Sequence, residues 1–309
     1  MIGRIARKEF TEMVRDGRFR VAATVVLVLT AAALLVGWRH AERVAAEHEA
    51  AQRATRAQWL NQPAKNPHSA AHYGVYAFKP QTPLAAVDPG VDPYVGVAAW
   101  LEAHRQNEFR FRPAADRASV QRFGDLTAAF VVHTLLPLVI VLLAFGALAA
   151  EREQGTWRQL ASLGVPPRVL VAGKAAGVGG AIAIIVIPAV GLAALAVSWS
   201  SVTEVWESDG LRMLTLAAVY LAWTALWVLG TLVVSAASPS SRAALISLVA
   251  IWIVTTLIVP RLVSEASARA HPTPSAAQFQ RELDQALAVR APVEERLRER
   301  RSELYAKYG

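Results

Sequence analysis

The feature that most constrains this 309-residue chain is a set of five long runs almost free of charge. They are Val21–Trp38, Leu126–Leu148, Ala175–Val197, Met213–Ser235 and Ala243–Val263. A helix of about 20 apolar residues crosses the ~30 Å hydrocarbon core of a bilayer. Backbone groups at that depth have no water to bond, so such runs must be helices rather than loops or open sheet edges. The expected fold class is an all-α polytopic membrane protein with five transmembrane helices. A soluble cytoplasmic enzyme is excluded.

Orientation follows from the short loops. Residues 198–212 carry Glu204, Glu207 and Asp209, with no Lys or Arg before Arg212, so this loop reads as external. Residues 149–174 hold Arg152, Arg158, Arg168 and Lys174, and the N-terminal stretch is rich in arginine, so both read as cytoplasmic, as does 236–242. The long segment 39–125 is basic, but long loops translocate largely regardless of charge, and it is placed outside. A 20-residue basic lead and no small-residue cleavage site after Trp38 make the first run an uncleaved span rather than a signal peptide. The net charge of +8 then reflects orientation more than nucleic-acid binding, since no basic stripe interleaves with aromatics. Cysteine is absent, which excludes disulfides and thiol chemistry.

No Asp or Glu lies within the five runs. Ion-coupled carriers need such groups to bind and release the driving ion, so a secondary transporter is not expected. His133 is read mainly as a helix–helix contact near Pro137, and Lys174 as snorkelling to the cytoplasmic surface. Gly173-Lys174-Ala175 lacks the spacing and the Ser/Thr of a phosphate-binding loop. Gly173, Gly177 and Ala181 instead form a small-residue face for close helix approach.

Outside the runs, residues 1–20 place Ile2, Ile5, Ala6, Phe10, Met13 and Val14 on one helical face, as expected of an interfacial amphipathic helix. Residues 151–160 read as a short charged helix, followed by a break at Gly164–Pro167. The external segment 39–125 reads as helical and loop-rich: a helix over Ala41–Leu60, a proline-rich stretch, and a second helical patch over Tyr94–His104. His68 and His72 are four residues apart and His104 makes a third imidazole, but Pro67 and Gly74 weaken the local helix, and the spacing assigns no metal. Tyr73 and His104 are expected to hold the proline-rich loop. Phe279, Leu283 and Leu287, then Leu297 and Leu304, recur at helical spacing, as if to pack on Ala41–Leu60.

Glu151, Glu153, Gly155, Thr156, Leu160, Ser162, Pro167, Arg168, Gly173 and Lys174 together resemble the permease subunits of ABC-2 type transporters. By that resemblance Glu151, Arg152, Glu153, Gly155, Thr156, Gln159, Leu160, Pro167 and Arg168 form the coupling segment that meets an ATP-binding subunit. Arg7, Lys8, Glu9, Phe10 and Arg15 resemble the family's elbow helix. His72, Tyr73, Asp88, Pro89, Gly90, Tyr94, Glu102, His104 and Asn107 are similar to a subfamily with a large extracytoplasmic insertion, related to permeases of copper-enzyme maturation and gliding motility. The resemblance implies no catalytic residue and no cofactor on this chain, with ATP and Mg on a separate ABC ATP-binding subunit. It further implies a homo- or heterodimer of permeases in a bacterial inner membrane, its N-terminus cytoplasmic, exporting its substrate. Such permeases carry a sixth span after a second external region, and 264–309 reads as that region, incomplete. A scaffold or receptor acting through its external domain is the alternative.

Overall fold

The computed structural model describes all residues except 80–81, 105–108, 113–125, 201–205, 289–292 and 309, and also leaves out the side chains of 206–209, 276, 287–288 and 293–294. Asn107 and Glu204 therefore lie outside the described residues, as do the side chains of Glu207, Asp209 and Leu287. Among the described residues, five helical stretches are long and apolar enough to cross a membrane: Gly17–Leu60, Ala128–Glu153, Pro167–Ser198, Gly210–Ala237 and Ser241–Ala270. Each overlaps one of the five runs. Large apolar side chains on them, such as Val28, Leu35, Ile187, Leu226 and Ile246, face outward, as lipid-facing residues do. The chain is a multi-pass, all-α membrane protein.

The chain divides into two compact units, Met1–Trp252 and Ile253–Gly309. In the first, helix α1 (Ile2–Arg15) is separated from α2 (Gly17–Leu60) by Asp16, whose extended backbone turns the chain and whose carboxylate accepts from the Arg18 N–H. At about 1.5 Å per residue, the 44 residues of α2 reach roughly twice the hydrocarbon thickness. The first span and Ala41–Leu60 are thus one helix: no proline or glycine interrupts residues 38–60.

The segment between the first two spans departs from its expected helical character. After α3 (Pro67–Ala71) come β1 (Val75–Phe78), a 3-10 turn (Pro83–Ala86), β2 (Ala98–Leu101) and β3 (Phe109–Arg110). They make an antiparallel sheet of order β1-β2-β3. Tyr94–His104 is therefore not helical. Tyr76 pairs with Trp100 across the strands, their ring centroids 4.6 Å apart, and this aromatic cross-strand contact outweighs the weak helical pattern of a short segment.

The second span is α4 (Ala128–Phe130), a π-helical turn (Val131–Leu135) and α5 (Leu136–Ala144), followed by α6 (Ala149–Glu153). Pro137 has no N–H for the His133 carbonyl. That carbonyl accepts from Trp223 Nε1 at 3.3 Å, and the next, Thr134 O, from Trp252 Nε1 at 3.0 Å. Indoles of two other helices thus satisfy backbone freed by the distortion. The imidazole of His133 stacks on Trp223 at 5.1 Å with a 7° interplanar angle, the helix–helix contact expected of it. Helices α7 (Thr156–Ser162), α8 (Pro167–Ser198), α9 (Trp206–Ala237) and α10 (Ser241–Ile253) complete this part. The core joins Phe19, Val26, Ile140, Val141, Val178, Ile182, Ile185, Leu232 and Leu248, contributed by all five spans.

The second unit holds a π-helical turn (Val254–Ile258) before Pro260, then α11 (Val259–Ala270), α12 (Ala276–Ala288) and α13 (Val293–Tyr308). On α12 and α13 Phe279, Leu297 and Leu304 are exposed.

Candidate functional site

The five apolar runs contribute no carboxylate, yet two glutamates converge on one lysine where the second run ends and the third begins. Lys174, on the first turns of α8, is only 4% exposed. Its Nζ lies 2.7 Å from Glu9 of α1 and 3.0 Å from Glu151 of α6. The expectation that Lys174 snorkels is therefore corrected. An ammonium tolerates burial when it is paired and hydrogen-bonded, and here two carboxylates meet it before solvent does.

The small-residue face of α8 makes this possible. A Cβ at Gly173 would stand 2.6 Å from Ile5 Cβ, and one at Gly177 would stand 2.6 Å from Glu9 Cβ and 2.7 Å from Ala6 O. Only glycine lets α1 lie this close, so the close-approach face binds the N-terminal helix. Phe10 rests beside Gly180 and packs on the core, while Arg7, Lys8 and Arg15 stay exposed. Lys8 faces Glu12 one turn on, 3.5 Å away.

The segment expected to be one charged helix is two. Gly155 adopts φ 76°, a left-handed conformation that ends α6 and begins α7. Thr156 donates its hydroxyl to the Glu151 carboxylate, closing the corner. The start and the body of α6 are also tied to the region where α9 ends and α10 begins. Ser235 Oγ accepts from the backbone N–H groups of Leu148 and Ala149, both at 3.0 Å. Arg152 Nη1 donates to Ser238 O at 3.3 Å, its guanidinium over the Trp157 ring, and the Ser241 hydroxyl donates to Glu153. Ser235, Ser238 and Ser241 were missed by sequence reasoning. Their spacing of three at the end of an apolar run was the available signal.

Beyond this anchored corner, α7 projects. Gln159 is exposed and Leu160 half-buried, whereas Leu163, at the C-cap of α7, is 76% exposed. Pro167 occupies the first turn of α8, where its missing N–H costs nothing, and Arg168 beside it is exposed. The arrangement is a short exposed helix next to a corner braced against α1, α8, α9 and α10.

Among the described residues, the nine-residue motif between the first two spans does not assemble as a whole into one site. Asp88 caps its own turn by accepting from Gly90 N–H at 2.8 Å, and it accepts from Tyr220 of α9 at 2.7 Å. Pro89 O accepts from Asp92 N–H, and Asp92 pairs with Lys79. Tyr94 is exposed, and Glu102 accepts from Trp100 Nε1 at 3.0 Å. Tyr73 lies under Lys65 Nζ, 4.8 Å from its ring centroid, while the ring of His104 lies against those of His68 and His72. A mostly apolar cavity of about 110 Å³ lies beneath this cap, lined by residues of the first four spans including Val26, Thr30, Leu136, Ile185, Tyr220 and Thr224.

The family model described as ABC-2 family transporter protein matches residues 4–297 of the chain. No curated protein matches it.

Proposed function

The chain belongs to the ABC-2 transporter family, and from that premise we propose that it is the permease subunit of an ATP-driven transporter, powered by a separate ABC ATP-binding subunit through residues 151–168. The family's members are generally non-enzymatic transmembrane subunits that work with such a partner. The observation that carries the coupling role is the shared salt bridge of Lys174 with Glu9 and Glu151, which joins the N-terminal helix, the loop between the second and third spans, and the third span itself. A push on α7 is then delivered to the membrane helices rather than absorbed in a loop. Leu163 supplies an apolar contact at the tip, with Arg158 and Gln159 on the same exposed helix.

In this reading two permeases and two ATPases form the working unit in a bacterial inner membrane. The N-terminus and residues 149–174 face the cytoplasm, ATP and Mg sit on the partner, and substrate leaves the cell. The folded segment between the first two spans supports placement in the subfamily with a large external insertion.

Co-purification tests this. The tagged chain is extracted in detergent from its native membranes and its partners are identified by mass. A stoichiometric protein bearing a phosphate-binding Gly-rich loop, lost on Leu163→Asp while the permease still elutes as one species, is the expected result. Recovery of envelope proteins alone would remove the transport reading.

A further inference from the structure

Among the described residues, His68, His72 and His104 bring one ligand nitrogen each to within 4.8 Å of one another. We propose that these three imidazoles form a binding site for a divalent transition-metal ion, with zinc the first candidate. The inference stands on local geometry and does not depend on the transport reading.

The site is built by α3 and by the chain that follows β2. Asn66 caps α3 by accepting from the His68 N–H at 2.8 Å, and Pro67 fixes its first turn, so His68 and His72 stand one turn apart on one face. Sequence reasoning doubted this helix because of Pro67, but proline at the first helical position favours it. The end of β2 is clamped to α3 by a 3.1 Å hydrogen bond from Ala103 N–H to Ala71 O. His104 follows with φ 61°, a left-handed backbone uncommon for a residue with a side chain. Its ring centroid lies 5.6 Å from that of His68 and 5.2 Å from that of His72. Gly74, at φ 71° and with Trp100 where a Cβ would stand, turns the chain from α3 into β1 and fixes the two halves of the site together.

The spacing of one pair already matches coordination, and the third nitrogen lies within 4.8 Å of both. Two imidazole nitrogens bound to one tetrahedral zinc at 2.0–2.1 Å each lie about 3.3–3.4 Å apart. His68 Nε2 and His72 Nε2 are 3.3 Å apart. Three imidazole nitrogens, grouped with no thiolate or carboxylate among the described residues, select zinc, copper or nickel over magnesium or calcium, which require oxygen. All three rings are exposed, so a fourth position is open to water or to a donor from another molecule.

The test uses the full chain in detergent, purified without a polyhistidine tag and stripped with chelator. It is titrated with zinc and, separately, with cobalt as a spectroscopic probe. One equivalent per chain is expected, with the visible cobalt bands of a tetrahedral site. His72→Ala and His104→Ala should each weaken binding by more than the ~10–100-fold that loss of a merely supporting residue costs. His48→Ala should leave it unchanged. Retention of wild-type affinity in either site variant, or native binding no tighter than that of a chain carrying His68→Ala, His72→Ala and His104→Ala together, overturns the proposal. If a variant fails to elute as a single species, X-ray absorption at the zinc edge of the native chain decides. Three imidazoles in the first shell uphold the site and fewer overturn it.

Discussion

Tyr220, within the fourth span, donates a 2.7 Å hydrogen bond to Asp88 in the loop between the first two spans. The loop is thereby fastened over the cavity that Tyr220 also lines. Hydrogen bonds to a charged group contribute about 1.5–3 kcal/mol. Tyr220→Phe should therefore speed backbone hydrogen exchange across residues 83–92 without altering exchange in α8. Unchanged exchange at 83–92 would mean that the bond does not hold the loop.

Ser235 is fully buried, and its hydroxyl accepts from two backbone N–H groups at the break between α5 and α6. Ser235→Ala leaves both donors unpaired, at about 1–3 kcal/mol each. The apparent unfolding temperature in detergent should fall, and Leu148 and Ala149 should exchange faster. Ser240→Ala, which removes only the 3.2 Å bond accepted from Ala243 N–H, should have a smaller effect.

The spans were legible because burial in lipid demands long apolar runs, and every run became a helix. The anchored corner was legible only in part. Glu151, Gly155 and Thr156 stood out as a pattern, but which cation would meet Glu151 depended on how closely α1 approaches α8. That approach is set by Gly173 and Gly177 against Ile5, Ala6 and Glu9, residues more than 160 positions away, and no local period encodes it. The sheet escaped for a similar reason: Val75–Phe78 and Ala98–Leu101 are each four residues long and gain their stability from pairing across a 19-residue gap.

Removing the charge of Lys174 isolates two carboxylates in a largely buried pocket, a change that typically costs about 3–5 kcal/mol. Lys174→Met should lower the yield of folded protein sharply. Glu9→Gln or Glu151→Gln, leaving one carboxylate on the lysine, should cost less. The combination of Glu9→Gln and Glu151→Gln should exceed the sum of the single effects, because only then is the ammonium left without a counter-charge. Additive losses in apparent unfolding temperature would show that the two pairs act independently.

On the coupling reading, replacing Glu151 and Glu153 together by alanine should separate ATP hydrolysis from transport while leaving membrane insertion intact. Glu151 ties the corner to α8 and Glu153 ties it to α10, so the double change frees α6 from both. Hydrolysis by the reconstituted complex should persist while substrate movement falls. If transport per ATP is unchanged, force does not pass through this corner.

Gly177 offers the sharpest separation of packing from charge. A Cβ there meets backbone at Ala6 O, 2.7 Å away, as well as Glu9 Cβ at 2.6 Å, and backbone cannot swing aside as the end of a side chain can. Gly177→Ala should therefore lift α1 from α8 and draw Glu9 away from Lys174 while every charge remains. Backbone hydrogen exchange in α1 reads the docking without altering the glycine face itself. It should be slow in the native chain and severalfold faster in Gly177→Ala, with exchange in α9 unchanged. Equal exchange in both chains would mean that α1 docks without the glycine face, and the buried lysine would then need another explanation for its position.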